Sequence, residues 1–159
     1  MRIRELKLKI PENGFTLVEI LVILAILAVV FGISTLALKN ISPNMQLSGI
    51  TRQLVTDFRY AEQVSVTKQI NHGIVFSTST SPNEYQVVKY GEGGEISEVL
   101  KTEEFPPKVS IEEINFDNNK VAFNPYGAAV QGGNIVLINS KGETRVIKVS
   151  PAGFVKVSK

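Results

Sequence analysis

The chain has 159 residues, with 17 basic and 15 acidic side chains, one histidine and no cysteine. That length holds one anchor and one small domain, and the missing cysteine excludes a disulfide framework or a thiolate metal site. Four basic and two acidic residues fall in the first 14, so residues 15–159 carry 13 of each sign and no general electrostatic drive toward nucleic acid.

The first 14 residues form a leader whose basic members are Arg2, Arg4, Lys7 and Lys9. An apolar run of 24 residues follows, Phe15 to Leu38, holding one charge, Glu19. As a helix it is roughly 36 Å long, and a bilayer core takes about 20 apolar residues. The run is therefore expected to span a membrane once, with the leader on the cytoplasmic side and the rest of the chain outside. A secretory signal peptide has a shorter apolar core with a small-residue cleavage site behind it. Gly32-Ile33-Ser34 offers small residues, but a cut there would discard most of the run.

Glu19 needs an explanation, because an acid at the centre of a spanning helix costs about 2.5–3.5 kcal/mol on insertion scales. Near the helix start the cost is smaller, and the helix dipole favours a negative charge there. Two readings stand. Glu19 is an interfacial acid that reaches water, or it pairs with an α-amino group created by a cut between Gly14 and Phe15. That pairing, within one helix or between neighbours, would set the axial register of packed helices, since an unpaired charge in apolar surroundings is costly.

Ser42-Pro43-Asn44 is expected to kink or briefly break the helix. Helical spacing then resumes through Leu47, Ile50, Leu54, Phe58, Ala61 and Val64, an apolar stripe suited to packing on a sheet. Asn71-His72-Gly73 is expected to end it in a turn, with Gly73 as the stop. Short strand-like runs follow at 73–78, 85–90, 96–100, 109–114, 120–123, 134–139, 144–149 and 154–157. Ser81-Pro82-Asn83, Gly91-Glu92-Gly93-Gly94, Pro106-Pro107 and Ser140-Lys141-Gly142-Glu143 separate some of them as turns. A long helix followed by strands is an α+β arrangement, with the helix packed on an antiparallel sheet.

Catalytic chemistry finds no constellation. His72 stands alone without cysteines, and no Gly-x-Ser-x-Gly element is present. The Gly91–Gly94 segment lacks the lysine and hydroxyl of a phosphate loop. Glu103, Glu104, Glu112, Glu113 and Asp117 lack calcium-loop spacing and read as a solvated face. No catalytic residue, metal or cofactor is expected, and the chain is not read as an enzyme.

Lys9-Ile10-Pro11-Glu12-Asn13-Gly14-Phe15-Thr16-Leu17-Val18-Glu19 resembles the leader and N-terminus of type IV pilins and type II secretion pseudopilins. The resemblance implies that a membrane-bound prepilin peptidase cuts after Gly14 and methylates Phe15, and that Glu19 recruits and registers subunits in a filament. It implies the pilin fold, with a leader (1–14), a membrane and filament-core helix (15–39), its amphipathic continuation (40–72) and a β-rich domain (73–159). Implied partners are other pilins or pseudopilins, an inner-membrane assembly platform, and lipid before assembly. Assembly would carry the chain from the inner membrane into a periplasmic or cell-surface filament.

Later segments are similar to the GspH/FimT group: Leu54–Glu62, His72–Phe76, Phe123–Gly127, Gly133–Ile138 and Ile147–Gly153. Members of that group are minor pilins or pseudopilins, which implies a role in filament initiation or the tip complex. Some FimT-like members bind DNA through a C-terminal Gly-Arg-x-Arg element. This chain has Gly153-Phe154-Val155-Lys156 instead, and Lys148, Lys156 and Lys159 are left as weak DNA contacts. DNA capture for transformation is thus one alternative, and an uncleaved single-pass anchored domain is another.

Overall fold

The computed structural model describes residues 16–80 and 82–159, and of residues 30–41 the backbone only. Contacts divide the chain into two units, Met1–Asn40 and Ile41–Lys159. Helix α1 runs from Leu17 to Lys68. Of the kink or short break expected at Ser42-Pro43-Asn44, no break occurs: the helix continues through Pro43. Proline removes one N–H from the ladder, and side-chain bonds brace the turn around it. Gln46 Nε2 donates to Ser42 Oγ at 3.1 Å. Asn44 Nδ2 donates to Glu143 at 2.9 Å, and Asn139 Nδ2 donates to Asn44 Oδ1 at 2.8 Å.

The apolar stripe of α1 is buried at Leu47, Ile50, Leu54, Phe58 and Ala61. Its expected last member, Val64, is only half-buried, and Ser65 takes the buried place. The Ser65 hydroxyl donates to the Ala61 carbonyl at 2.8 Å and accepts from the His72 N–H at 2.9 Å, tying the last turns of the helix to the strand beyond. The helix ends earlier than expected. Gln69, not Gly73, adopts the left-handed conformation (φ 55°) just past it.

Eight strands follow: β1 (His72–Ser77), β2 (Glu84–Tyr90), β3 (Ile96–Glu104), β4 (Val109–Asn115), β5 (Lys120–Phe123), β6 (Gly133–Asn139), β7 (Thr144–Val149) and β8 (Val155–Ser158). They form two antiparallel four-stranded sheets, in the orders β3-β2-β1-β5 and β4-β6-β7-β8. His72 and Gly73, expected in a turn, open β1, where His72 pairs with Lys89 and Phe123. Gly73 is required there for close approach, because a Cβ would collide with the Val121 carbonyl of β5.

One core serves both sheets. Ile74, Phe76, Tyr85, Val87, Val121 and Phe123 come from the first, and Ile135, Leu137, Ile147 and Val149 from the second. A chain of rings links the helix to the first sheet and its loops: Phe58 lies 6.2 Å from Phe76 and 6.4 Å from Phe123, and Tyr85 lies 5.8 Å from Phe105. Such ring pairs add about 0.5–1.5 kcal/mol each beyond area burial.

A buried acid fixes the rotation of the helix over that sheet. Asp57 accepts from the Tyr85 hydroxyl at 2.6 Å and from Lys101 Nζ at 3.0 Å. Lys101 also pairs with Glu103 at 3.2 Å. Burial, then the hydrogen bond to Asp57, push the Tyr85 phenol well above its usual range. Burial alone pushes Tyr90 up to about 12. Burial works against the Lys101 ammonium, but its bonds to Asp57 and Glu103 outweigh that and raise it overall.

All three groups are held in their protonated forms by the fold. Their stabilisation is intact below the usual tyrosine value of about 10 and is lost as pH rises beyond it. The thermal midpoint, followed by circular dichroism, is expected to fall from about pH 9 to about pH 11, and less steeply in Tyr85→Phe. Asp57→Ala leaves the buried Tyr85 hydroxyl without its acceptor and should cost about 1–3 kcal/mol in denaturant unfolding.

Candidate assembly surfaces

The first surface is the start of α1. Thr16 is its N-cap: its hydroxyl accepts from the Glu19 N–H at 3.2 Å and its carbonyl from the Ile20 N–H at 3.2 Å. Glu19 therefore occupies the third helical position, and Thr16-Leu17-Val18-Glu19 has the capping-box pattern. The carboxylate lies in the first turn, where the exposed amides favour negative charge. Sequence reasoning named Thr16 only as part of the motif and missed its capping role, although Thr-x-x-Glu before an apolar run was the available signal. Gly14 and Phe15 lie outside the described residues.

Beyond the cap the helix offers uncovered apolar surface. From Leu17 to Val29 every large hydrophobic side chain is at least 43% exposed. A contiguous apolar surface of this kind marks an interaction site. Among the described residues no helix is long and apolar enough to cross a membrane. The expected span, Phe15–Leu38, extends past the described side chains at both ends.

The second surface is a groove between α1 and the β7–β8 hairpin. Its two halves, each of about 520 Å³, share Arg59. Arg52 and Val55 wall one half with Arg145 and Val157, while Glu62 and Val66 wall the other with Phe154 and Val155. Gly153 shapes the hairpin turn. Its φ is +90°, and a Cβ there would collide with the Gly127 carbonyl. No local pattern in the sequence groups these arginines, since Arg145 is 86 residues from Arg59.

The expected weak DNA contacts fall on β7 and β8. Lys148 and Lys156 are both exposed and stand directly opposite each other in register. Like charges so placed repel. Lys159 follows the last residue of β8. The remaining candidates do not converge. His72 is fully buried, its Nδ1 donating to the Ile70 carbonyl at 2.8 Å and its Nε2 without a partner. Gly91–Gly94 forms the β2–β3 hairpin tip. No cluster of metal-ligating side chains occurs among the described residues.

Residues 51–153 match the family model described as type II transport protein GspH, and residues 11–35 match that of the prokaryotic N-terminal methylation motif. The comparison with curated proteins returns no match. Among solved structures, the chain resembles the type IV minor pilin FimU of Pseudomonas aeruginosa, with a TM-score of 0.60 at 15% identity over 73% of this chain and 90% of that one. It also resembles the minor pseudopilin EpsH of the type 2 secretion system of Vibrio cholerae, with a TM-score of 0.59 at 4% identity over 71% of this chain and 96% of that one. At these identities the likeness shows the fold, a helix packed on antiparallel strands, which is the α+β pilin arrangement expected from the sequence.

Removing the cap tests the first surface. Thr16→Ala should loosen the first turn by about 1 kcal/mol, roughly a fivefold change. Hydrogen exchange at the Glu19 and Ile20 amides of the detergent-solubilised chain should quicken by that factor, and exchange in the β-sheets should not.

Proposed function

Because the chain belongs to the GspH family of type II transport proteins, we propose that it is a processed minor subunit of a type II secretion pseudopilus or type IV pilus, acting in filament initiation or at the tip. One observation carries the reading: a methylation motif over residues 11–35 leads into a capped helix whose apolar face is uncovered from Leu17 to Val29.

The mechanism is assembly. The basic leader holds the precursor with its N-terminus in the cytoplasm, and Phe15–Leu38 spans the inner membrane. Prepilin peptidase cuts between Gly14 and Phe15 and methylates the new terminus. The amine then lies one residue before the Thr16 cap, and Glu19 lies in the same first turn. Glu19 can therefore meet the amine of its own helix or that of a neighbour. Lipid supplies no hydrophobic drive for helices to associate, so polar pairing and close packing must provide it. Leaving the bilayer exposes the apolar face to water. Covering it with neighbouring helices then stabilises the fibre, at about 25 cal/mol per Å² of apolar area. Other proteins supply the motor and platform.

A second reading, capture of nucleic acid, has one observation in its favour: the facing lysines Lys148 and Lys156, with Lys159 just beyond. It requires an affinity for DNA that falls steeply with salt and disappears when all three are changed to glutamine.

Intact mass and N-terminal sequencing from cells with and without the peptidase test the main reading. A methylated Phe15 terminus that depends on the peptidase is expected. A Met1 terminus in both strains would reduce the chain to an uncleaved anchored domain. Gly14→Val should block processing more than Gly14→Ala. Glu19→Val should spare insertion and processing but reduce recovery of the chain in sheared filaments at least tenfold; normal recovery would remove the pairing role.

A further inference from the structure

All three arginines of residues 16–159, Arg52, Arg59 and Arg145, line the groove between α1 and the β7–β8 hairpin. None of them forms an ion pair among the described residues. Glu62 is the one carboxylate in the lining. Arginine keeps its charge under all ordinary conditions and offers a planar fork of donors suited to carboxylates. The groove is apolar at its margin: Phe154 is 76% exposed and Val157 41% exposed. β8 is the last strand of its sheet, with no strand on its outer side among the described residues.

The other sheet ends in a surface of complementary character. β3 is its outermost strand, and Ile96, Ser97, Glu98 and Val99 are all exposed. Ile96 and Val99 are each 48% exposed. Glu95, Glu98 and Glu104 are exposed and form no ion pair among the described residues. Two register shifts against β2 interrupt the strand's backbone pattern. Bulges of this kind blunt an edge against ladder extension, so β3 offers side chains rather than a regular hydrogen-bonding edge.

We propose that the acidic edge of β3 in one copy docks into the arginine groove of a second copy. The carboxylates of Glu98 and Glu104 meet the guanidinium groups of Arg52, Arg59 and Arg145, and Val99 and Ile96 cover Val157 and Phe154. Of these arginines the last donates to the Thr144 carbonyl at 2.8 Å, and none has an ion-pair partner among the described residues. The two surfaces lie on different sheets, so the contact is heterologous and leaves one groove and one β3 edge open at the ends of each pair. Contacts of that type propagate head to tail. The proposal rests on the reading of the chain as a filament subunit, and it implies more than one copy in the starting complex. A nucleic acid would also attract arginines, but Phe154 is the only aromatic ring in the groove lining. Single strands are held by successive rings on which bases stack.

The chain has no cysteine, so introduced thiols are unique. Full-length chains carrying Val99→Cys and Val157→Cys, differently tagged, are mixed in detergent micelles and oxidised. A disulfide between the two kinds of copy is expected. Adding Arg59→Glu to the Val157→Cys copy should lower its yield at least tenfold, and Glu98→Arg in the other copy should restore it. Absence of the mixed disulfide would overturn the docking; if the chain is still cut between Gly14 and Phe15, the filament reading survives. A disulfide insensitive to Arg59→Glu would also overturn it, because the arginines would then have no part in the contact. An unlabelled single-stranded oligonucleotide that suppresses the disulfide and binds only when Arg59 is intact would assign the groove to a polyanion instead.

Discussion

Burial of one stripe of α1 is the constraint on which the globular unit depends. Leu47, Ile50, Leu54, Phe58 and Ala61 meet side chains from both sheets in a single core. Full burial of a side chain the size of Leu, Ile or Phe contributes about 1.5–3 kcal/mol. Among the described residues no second α-helix covers the inner face of either four-stranded sheet, and the 3-10 turn Asp117–Asn119 has no buried residue. The helix therefore joins two sheets that would otherwise leave that face in water.

Apolar burial does not by itself fix how a helix is rotated or where it sits along a sheet. Two polar anchors do so here. Asp57 meets Tyr85 and Lys101 over the first sheet, and Asn44 meets Asn139 and Glu143 at the β6–β7 hairpin. Asn139 also organises that hairpin by accepting from the Lys141 and Glu143 amides at 2.9 and 3.0 Å. Buried polar groups are costly when unpaired, so each anchor penalises a slipped or rotated helix.

The surfaces left open by this packing are of two kinds. The first turns of α1 expose apolar side chains that none of the described residues covers. The rim of the other unit exposes charge separated by sign, with arginines beside β8 and carboxylates along β3. The former suits lipid and other helices, and the latter suits specific, salt-sensitive contact between folded domains.

Local patterns were legible in the sequence because they depend on near neighbours. Leu47 to Ala61 announced a buried stripe through helical spacing, and Asn134–Asn139 and Thr144–Val149 announced a hairpin through strand-forming runs around a Gly-containing turn. The motif from Gly14 to Glu19 pointed to pilins and pseudopilins because it is confined to six consecutive residues. Misreadings occurred where a distant segment outweighed local preference. Pro43 suggested a kink or a short break, and the helix continues through it without a break, with Asn44 bonded to Asn139. Gly73 suggested a stop, whereas the Val121 carbonyl requires a glycine inside β1. The placing of Arg52, Arg59 and Arg145 along one groove, and the meeting of Asp57 with Tyr85 and Lys101, were decided only by tertiary structure. Those groupings join residues 28 to 93 positions apart, and no periodicity within a single element encodes which strands a helix will face.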